Sequence, residues 1–169
     1  MSYYAAIKTC DIANGPGVRV SVFLSGCPHH CPGCFNQEAW DYAYGSPITD
    51  ATIAHVAALL DRPFIDGLSL LGGEPLAPDN AAASLTFVRA AKALHKSVWI
   101  YTGYTWDELP KIIDPYNTIL HLTDVLVDGR FDQTLADKTL LFRGSSNQRL
   151  IDVPKTFRQG HVISWEGTA

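Results

Sequence analysis

The chain has 169 residues, 47% of them hydrophobic, with 13 Lys and Arg against 17 Asp and Glu for a formal charge of −4. These figures suit one globular domain spanning residues 1–169 and exclude a disordered chain. With no Lys/Arg run, no apolar stretch of about 18 residues and no export pattern in Met1-Ser2-Tyr3-Tyr4-Ala5-Ala6, the expectation is a cytoplasmic protein that binds neither nucleic acid by charge nor membrane.

Val18-Arg19-Val20-Ser21-Val22-Phe23-Leu24 is β-branched and aromatic with polar residues spaced through it, which predicts a strand ending at Ser25-Gly26. A cysteine-bearing loop follows directly. After Pro47, Thr49 or Asp50 caps a helix whose Ile53, Val56, Ala57 and Leu60 repeat at helical spacing until Pro63 stops it. Leu68-Ser69-Leu70-Leu71 then reads as a short strand closed by Gly72-Gly73-Glu74-Pro75, although periodicity alone leaves a buried helical turn open. Asp79 or Asn80 opens a second helix, with Leu85, Val88, Ala91 and Leu94 on its stripe and His95-Lys96 at its end. Val98-Trp99-Ile100-Tyr101 predicts a strand closed by Thr102-Gly103-Tyr104. Thr105-Trp106-Asp107-Glu108 reads as a capped helical start, and Val125-Leu126-Val127 as a last strand closed by Asp128-Gly129-Arg130. In the tail, Gln159 to Trp165 reads as a turn and an added edge strand.

Strands alternating with helices predict an α/β fold with parallel strands, because parallel neighbours need a crossover. Closing an eight-fold barrel takes about 250 residues, so the expected architecture is a partial, laterally open (β/α) barrel. Ser25-Gly26-Cys27, Gly72-Gly73-Glu74, Thr102-Gly103-Tyr104 and Asp128-Gly129-Arg130 each follow the C-terminal end of a strand, the edge where such sheets hold ligands. Glycines that merely end strands are the plain alternative.

Cys27, Cys31 and Cys34 are spaced C-x3-C-x2-C, and Cys10 stands alone upstream. Three thiols this close in a reducing compartment point to metal ligation or redox work, not to disulfides. Three thiolates can hold three corners of a 4Fe-4S cube and leave one iron open. Zinc with His29 or His30 as a further ligand is the rival, and Cys10 is either a fourth cluster ligand or a small hydrophobe.

The segment Cys27-Pro28-His29-His30-Cys31-Pro32-Gly33-Cys34-Phe35-Asn36 resembles the cluster loop of radical S-adenosylmethionine enzymes. Joined by Asn14-Gly15-Pro16-Gly17, Gly72-Gly73-Glu74-Pro75-Leu76, Tyr101-Thr102-Gly103-Tyr104, Val125-Leu126-Val127-Asp128-Gly129-Arg130-Phe131 and Arg143-Gly144-Ser145-Ser146-Asn147-Gln148, in that order, it resembles the glycyl-radical activases of anaerobic ribonucleoside-triphosphate reductase over about residues 11–149. The resemblance implies a 4Fe-4S cluster on Cys27, Cys31 and Cys34 whose open iron binds S-adenosylmethionine. It further implies reductive cleavage to a 5'-deoxyadenosyl radical, and hydrogen abstraction from a glycine of the reductase. It assigns Phe35, Asn36, Gly72, Gly73, Glu74, Thr102 and Asp128 to the cofactor site, with Glu74 accepting near the ammonium group. Asn36 as a helix cap, Gly72-Gly73 as an ordinary turn, and Arg19 as a residue able to reach the open edge stay open as readings. Many superfamily members carry an aromatic residue where this chain has Gly33, and Phe35 substitutes from the other side. A reduced donor such as flavodoxin, and a homodimer or a complex with a dimeric reductase, are implied partners. A radical enzyme acting on another glycyl-radical enzyme or a small molecule, and a structural metal-binding module, are the alternative functions.

Overall fold

The computed structural model describes residues 1–167. Among them, β1 (Tyr3–Asp11), β2 (Arg19–Leu24), β3 (Ser46–Pro47), β4 (Gly67–Gly72), β5 (Ser97–Tyr101), β6 (Val125–Asp128) and β7 (Arg149–Asp152) form one sheet in the order β3-β1-β2-β4-β5-β6-β7. The inner strands β2, β4, β5 and β6 are mutually parallel, while β1, β3 and β7 run antiparallel to their neighbours. Four helices accompany the sheet: α1 (Asp50–Leu60), α2 (Pro78–Ala93), α3 (Tyr116–His121) and α4 (Val153–Gln159). The result is a mixed α/β fold with a largely parallel sheet that stays open between β3 and β7, as a partial barrel requires. No helix among the described residues is long and apolar enough to cross a membrane.

The parallel strands form where apolar runs are buried on both faces. Val20, Val22, Leu24, Leu68, Leu70, Val98, Ile100 and Leu126 pack in one core with Val56 and Leu60 of α1 and Phe87 and Val88 of α2. The alternating positions turn to the other face. There Arg19 is completely buried, and it does not reach the ligand-bearing edge. It sits at the start of β2, donating to the Ser69 and Ser97 hydroxyls and the Leu68 carbonyl, with Trp99 beneath the guanidinium. Burial lowers its pKa to about 10, so it stays charged at neutral pH.

Local signals explain the rest. Thr49 caps α1 and exchanges hydrogen bonds with Thr52, a reciprocal capping box. The helix expected from Thr105 does not form. Glu108 does reach back to the Thr105 N–H, but Pro110 has no N–H to continue a helix, and the next one, α3, begins only at Tyr116. The tail takes the expected turn, with Gly160 closing α4 at φ +74°, but the expected edge strand reduces to an isolated bridge between Ile151 and Ser164, beside which Trp165 N–H donates to the Leu150 carbonyl. Strands β1 and β7 and helix α4 were not expected.

Acid stability follows from two carboxylates at element ends. Burial alone would raise the Asp11 pKa, but the Ser21 hydroxyl, the Ala13 N–H, the Asn14 amide and Lys8 outweigh it and hold it below 3.8. Asp152 at the start of α4 is likewise partly desolvated, yet Lys155 brings it below 3.8. A depressed carboxylate adds stability above its unfolded pKa and loses it as pH falls through the folded value. The melting temperature is therefore expected to be level above about pH 5 and to fall below about pH 4. Asp11→Asn should flatten that fall in a pH series of melts; an unchanged slope would assign it elsewhere.

Candidate active site

The ends of β2, β4 and β5 bring three loops together. Gly26, at φ +94°, turns the chain out of β2, and Cys27 N–H then donates to the Trp40 carbonyl. Gly72, at φ +109°, and Gly73 must be glycine because a Cβ on them would lie 2.6 Å from the Leu24 carbonyl oxygen and 2.5 Å from that of Gly26. Their close approach is thus to the neighbouring loop, and both also line the cavity that opens beside it.

That cavity, of about 430 Å³, is bordered by all three clustered cysteines, by Phe35, Gly72, Gly73, Glu74 and Thr102, and by Phe142 and Arg143 from the later loop. Its volume falls in the usual range for small-ligand sites. Of the residues expected at the site, Asn36 and Asp128 do not border it. Asn36 sits at the N-cap of a short 3-10 turn without a side-chain cap bond, and its N–H faces the Cys34 sulfur at 3.5 Å. Asp128 is buried, taking two bonds from Arg149 and one from the Trp106 N–H, so it ties β6 to β7 and to the loop after β5. Cys10 lies exposed on β1 away from the cavity. Gly33 takes φ +72° against Gln133, where an aromatic side chain has neither the backbone nor the room; Phe35 instead stands 84% exposed at the rim.

Glu74 is fully buried and its carboxylate is filled by donors of the chain itself. Oε1 accepts from Leu76 N–H at 2.8 Å and from Thr102 Oγ1 at 2.8 Å. Oε2 accepts from Gly103 N–H at 2.7 Å and from His29 Nε2 at 2.8 Å. A carboxylate has about four acceptor directions, so Glu74 serves here as the knot of three loops. His30 adopts φ +47° and stacks on Trp40 with ring centroids 4.7 Å apart.

The thiols suit iron in sulfur coordination. Burial pushes the Cys27 thiol up to about 11 and raises that of Cys31. Facing backbone N–H groups of His29 and His30 partly oppose the rise at Cys27. Such sulfurs become thiolates only beside a strong positive charge. His29 Nε2 is held by Glu74, and the His30 ring stacks on Trp40. Among the described residues no three His, Cys, Asp or Glu side chains converge on a single-ion position. Three sulfurs around one cavity therefore fit a cluster with three protein ligands better than a lone ion. Two residues that border the cavity, Tyr101 and Trp40, each bury a polar atom, the hydroxyl and Nε1, without a partner among the described residues. Sequence reasoning named His29 only as a rival zinc ligand and did not name Trp40; their partners, Glu74 and His30, are set by the fold.

A family model described as a 4Fe-4S single cluster domain matches residues 13–151. The anaerobic ribonucleoside-triphosphate reductase-activating protein of Enterobacteria phage T4 is 38% identical over 149 residues, covering 87% of this chain and 92% of the relative. The protein of that name from Pasteurella multocida is 42% identical over 149 residues, 86% of this chain and 94% of the relative. From Escherichia coli K12 it is 43% identical over 142 residues, 82% and 90%.

Proposed function

Because the chain belongs to the family of anaerobic ribonucleoside-triphosphate reductase-activating proteins, with their single 4Fe-4S cluster domain, we propose that it installs a glycyl radical on that reductase. The observation that carries this reading is the convergence of Cys27, Cys31 and Cys34 with the Gly72–Glu74 loop on one cavity at the C-terminal edge of parallel strands.

When bound, the cluster would supply the electron for reductive cleavage of S-adenosylmethionine, the chemistry by which a glycine Cα hydrogen would be removed. The protein's part is placement. Cys27, Cys31 and Cys34 hold three irons and leave one for the cofactor. Gly72 and Gly73 present bare backbone to the cavity, and Thr102 lies beside them. Phe35 at the rim offers an aromatic face to an adenine ring or an entering peptide. Leu71, Phe131 and Phe142 give the cavity apolar walls, which keep water from a reactive radical. Residues 1–169 acting as one domain, a reduced flavodoxin as donor, a homodimer or a complex with a dimeric reductase, and a cytoplasmic setting that keeps the thiols reduced belong to the same proposal.

The test is anaerobic electron paramagnetic resonance of the reconstituted, reduced protein. A reduced-cluster signal that changes on adding S-adenosylmethionine, followed by a glycyl doublet when the reductase is added, is the expected result. A doublet absent with the reductase, while the cofactor is consumed with a small molecule or another glycyl-radical enzyme, would reassign the substrate. Zinc at unit stoichiometry without cofactor cleavage would overturn the enzyme reading.

A further inference from the structure

His29 lies between two expected cluster ligands, yet its side chain turns away from them and into the protein. It is only 4% exposed, and its Nε2 meets Glu74 Oε2 at 2.8 Å. With a carboxylate opposite, Nε2 is the protonated nitrogen and donates. The ring stands edge-on to Tyr104 with centroids 4.5 Å apart, and it occupies the space a Cβ on Gly103 would need, 2.3 Å from its ring carbon. The imidazole is thus fitted to a slot made by the loop after β5 and anchored by the loop after β4. His29 is two residues from Cys27 and two from Cys31, so fixing its ring fixes the path of the loop that carries both sulfurs. The surroundings and solvent exposure of the sulfurs are among the means by which a protein sets the potential of an iron-sulfur centre.

We infer that His29 is a positioning residue for the cluster: through Glu74 it locks the Cys27–Cys31 loop and so fixes where the Cys27 and Cys31 sulfurs stand at the cavity. A histidine in a short cysteine loop would otherwise be a ligand or a solvent-facing residue. Its burial and its partner 45 positions away identify a third role, in which the side chain fixes the direction of its own backbone. The loop has few alternatives for this task. Pro28 and Pro32 have no N–H, and His30 is spent on Trp40. The inference rests on Cys27, Cys31 and Cys34 being the cluster ligands.

The experiment compares His29→Phe, which keeps a ring against Tyr104 but has no donor, with His29→Gln, whose amide nitrogen reaches about as far as Nε2. Each is reconstituted anaerobically and followed by iron content, by the midpoint potential and resonance spectrum of the reduced cluster, and by titration with S-adenosylmethionine. Melting of the cluster-free chains checks folding, and His29→Asn, too short to reach Glu74, replaces the Phe variant if that one does not fold. For His29→Phe, a shifted potential, an altered spectrum and cofactor binding weakened by about tenfold are expected, the scale of one hydrogen bond to a charged group. His29→Gln should recover most of each. Wild-type potential and spectrum in His29→Phe would overturn the inference, as would a Gln variant no better than Phe. Cys27→Ala run in parallel separates the two levels: a normal cluster there would refute the ligand assignment itself.

Discussion

Alanine at Cys27, Cys31 or Cys34 is expected to lower cluster-bound iron and S-adenosylmethionine cleavage by more than about a hundredfold each, since even residues that only orient a metal's ligands are worth about 10–100-fold. Cys10→Ala should match the wild type in both. The contrast follows from position. The three clustered thiols border one cavity, whereas Cys10 is exposed on β1, outside it. Iron and sulfide assays with the spectrum of the reduced protein decide the matter, and a normal cluster in any of the three variants would remove that residue from the ligand set.

Glu74→Ala should destabilise the chain even before any cluster is present. It strands the Leu76 and Gly103 N–H groups, the Thr102 hydroxyl and the His29 imidazole in a fully buried setting. Lost bonds to a buried charge suggest about 3 kcal/mol or more, a fall in melting temperature of roughly 6–12 °C for a chain of this size. A residue that touched only the cofactor would leave the cluster-free melt unchanged. Thermal denaturation of the metal-free variant therefore distinguishes a knot of loops from a pure ligand contact.

What could be read from residues alone follows the physics of each element. The inner strands were legible because burial on both faces demands apolar runs, as in Val125-Leu126-Val127, and the glycines ending β4 are set by backbone approach. The start of α1 was legible from Thr49. The outer strands were not. Much of β1 is solvent-exposed, and Arg149-Leu150-Ile151-Asp152 gains its strand character only by pairing with β6. Helix α4 did carry a signal, Asp152 and Pro154 at one end and Gly160 at the other, in the order that starts and stops a helix. At the site, the cysteine spacing and the Gly72–Glu74 loop were legible as motifs. The engagement of Asp128 with Arg149 and of Glu74 with His29 was not, because each depends on a partner brought close only by the fold.

The buried thiols of Cys27 and Cys31 carry a consequence for how the protein is made active. With one pKa at about 11 and the other raised, these two thiols enter assembly protonated at neutral pH. Cluster insertion is then an exchange of these hydrogen ions for iron. Mildly alkaline medium pulls that exchange forward and acid reverses it. Maturation of this protein is for that reason expected to depend on the proton supply around it as well as on iron.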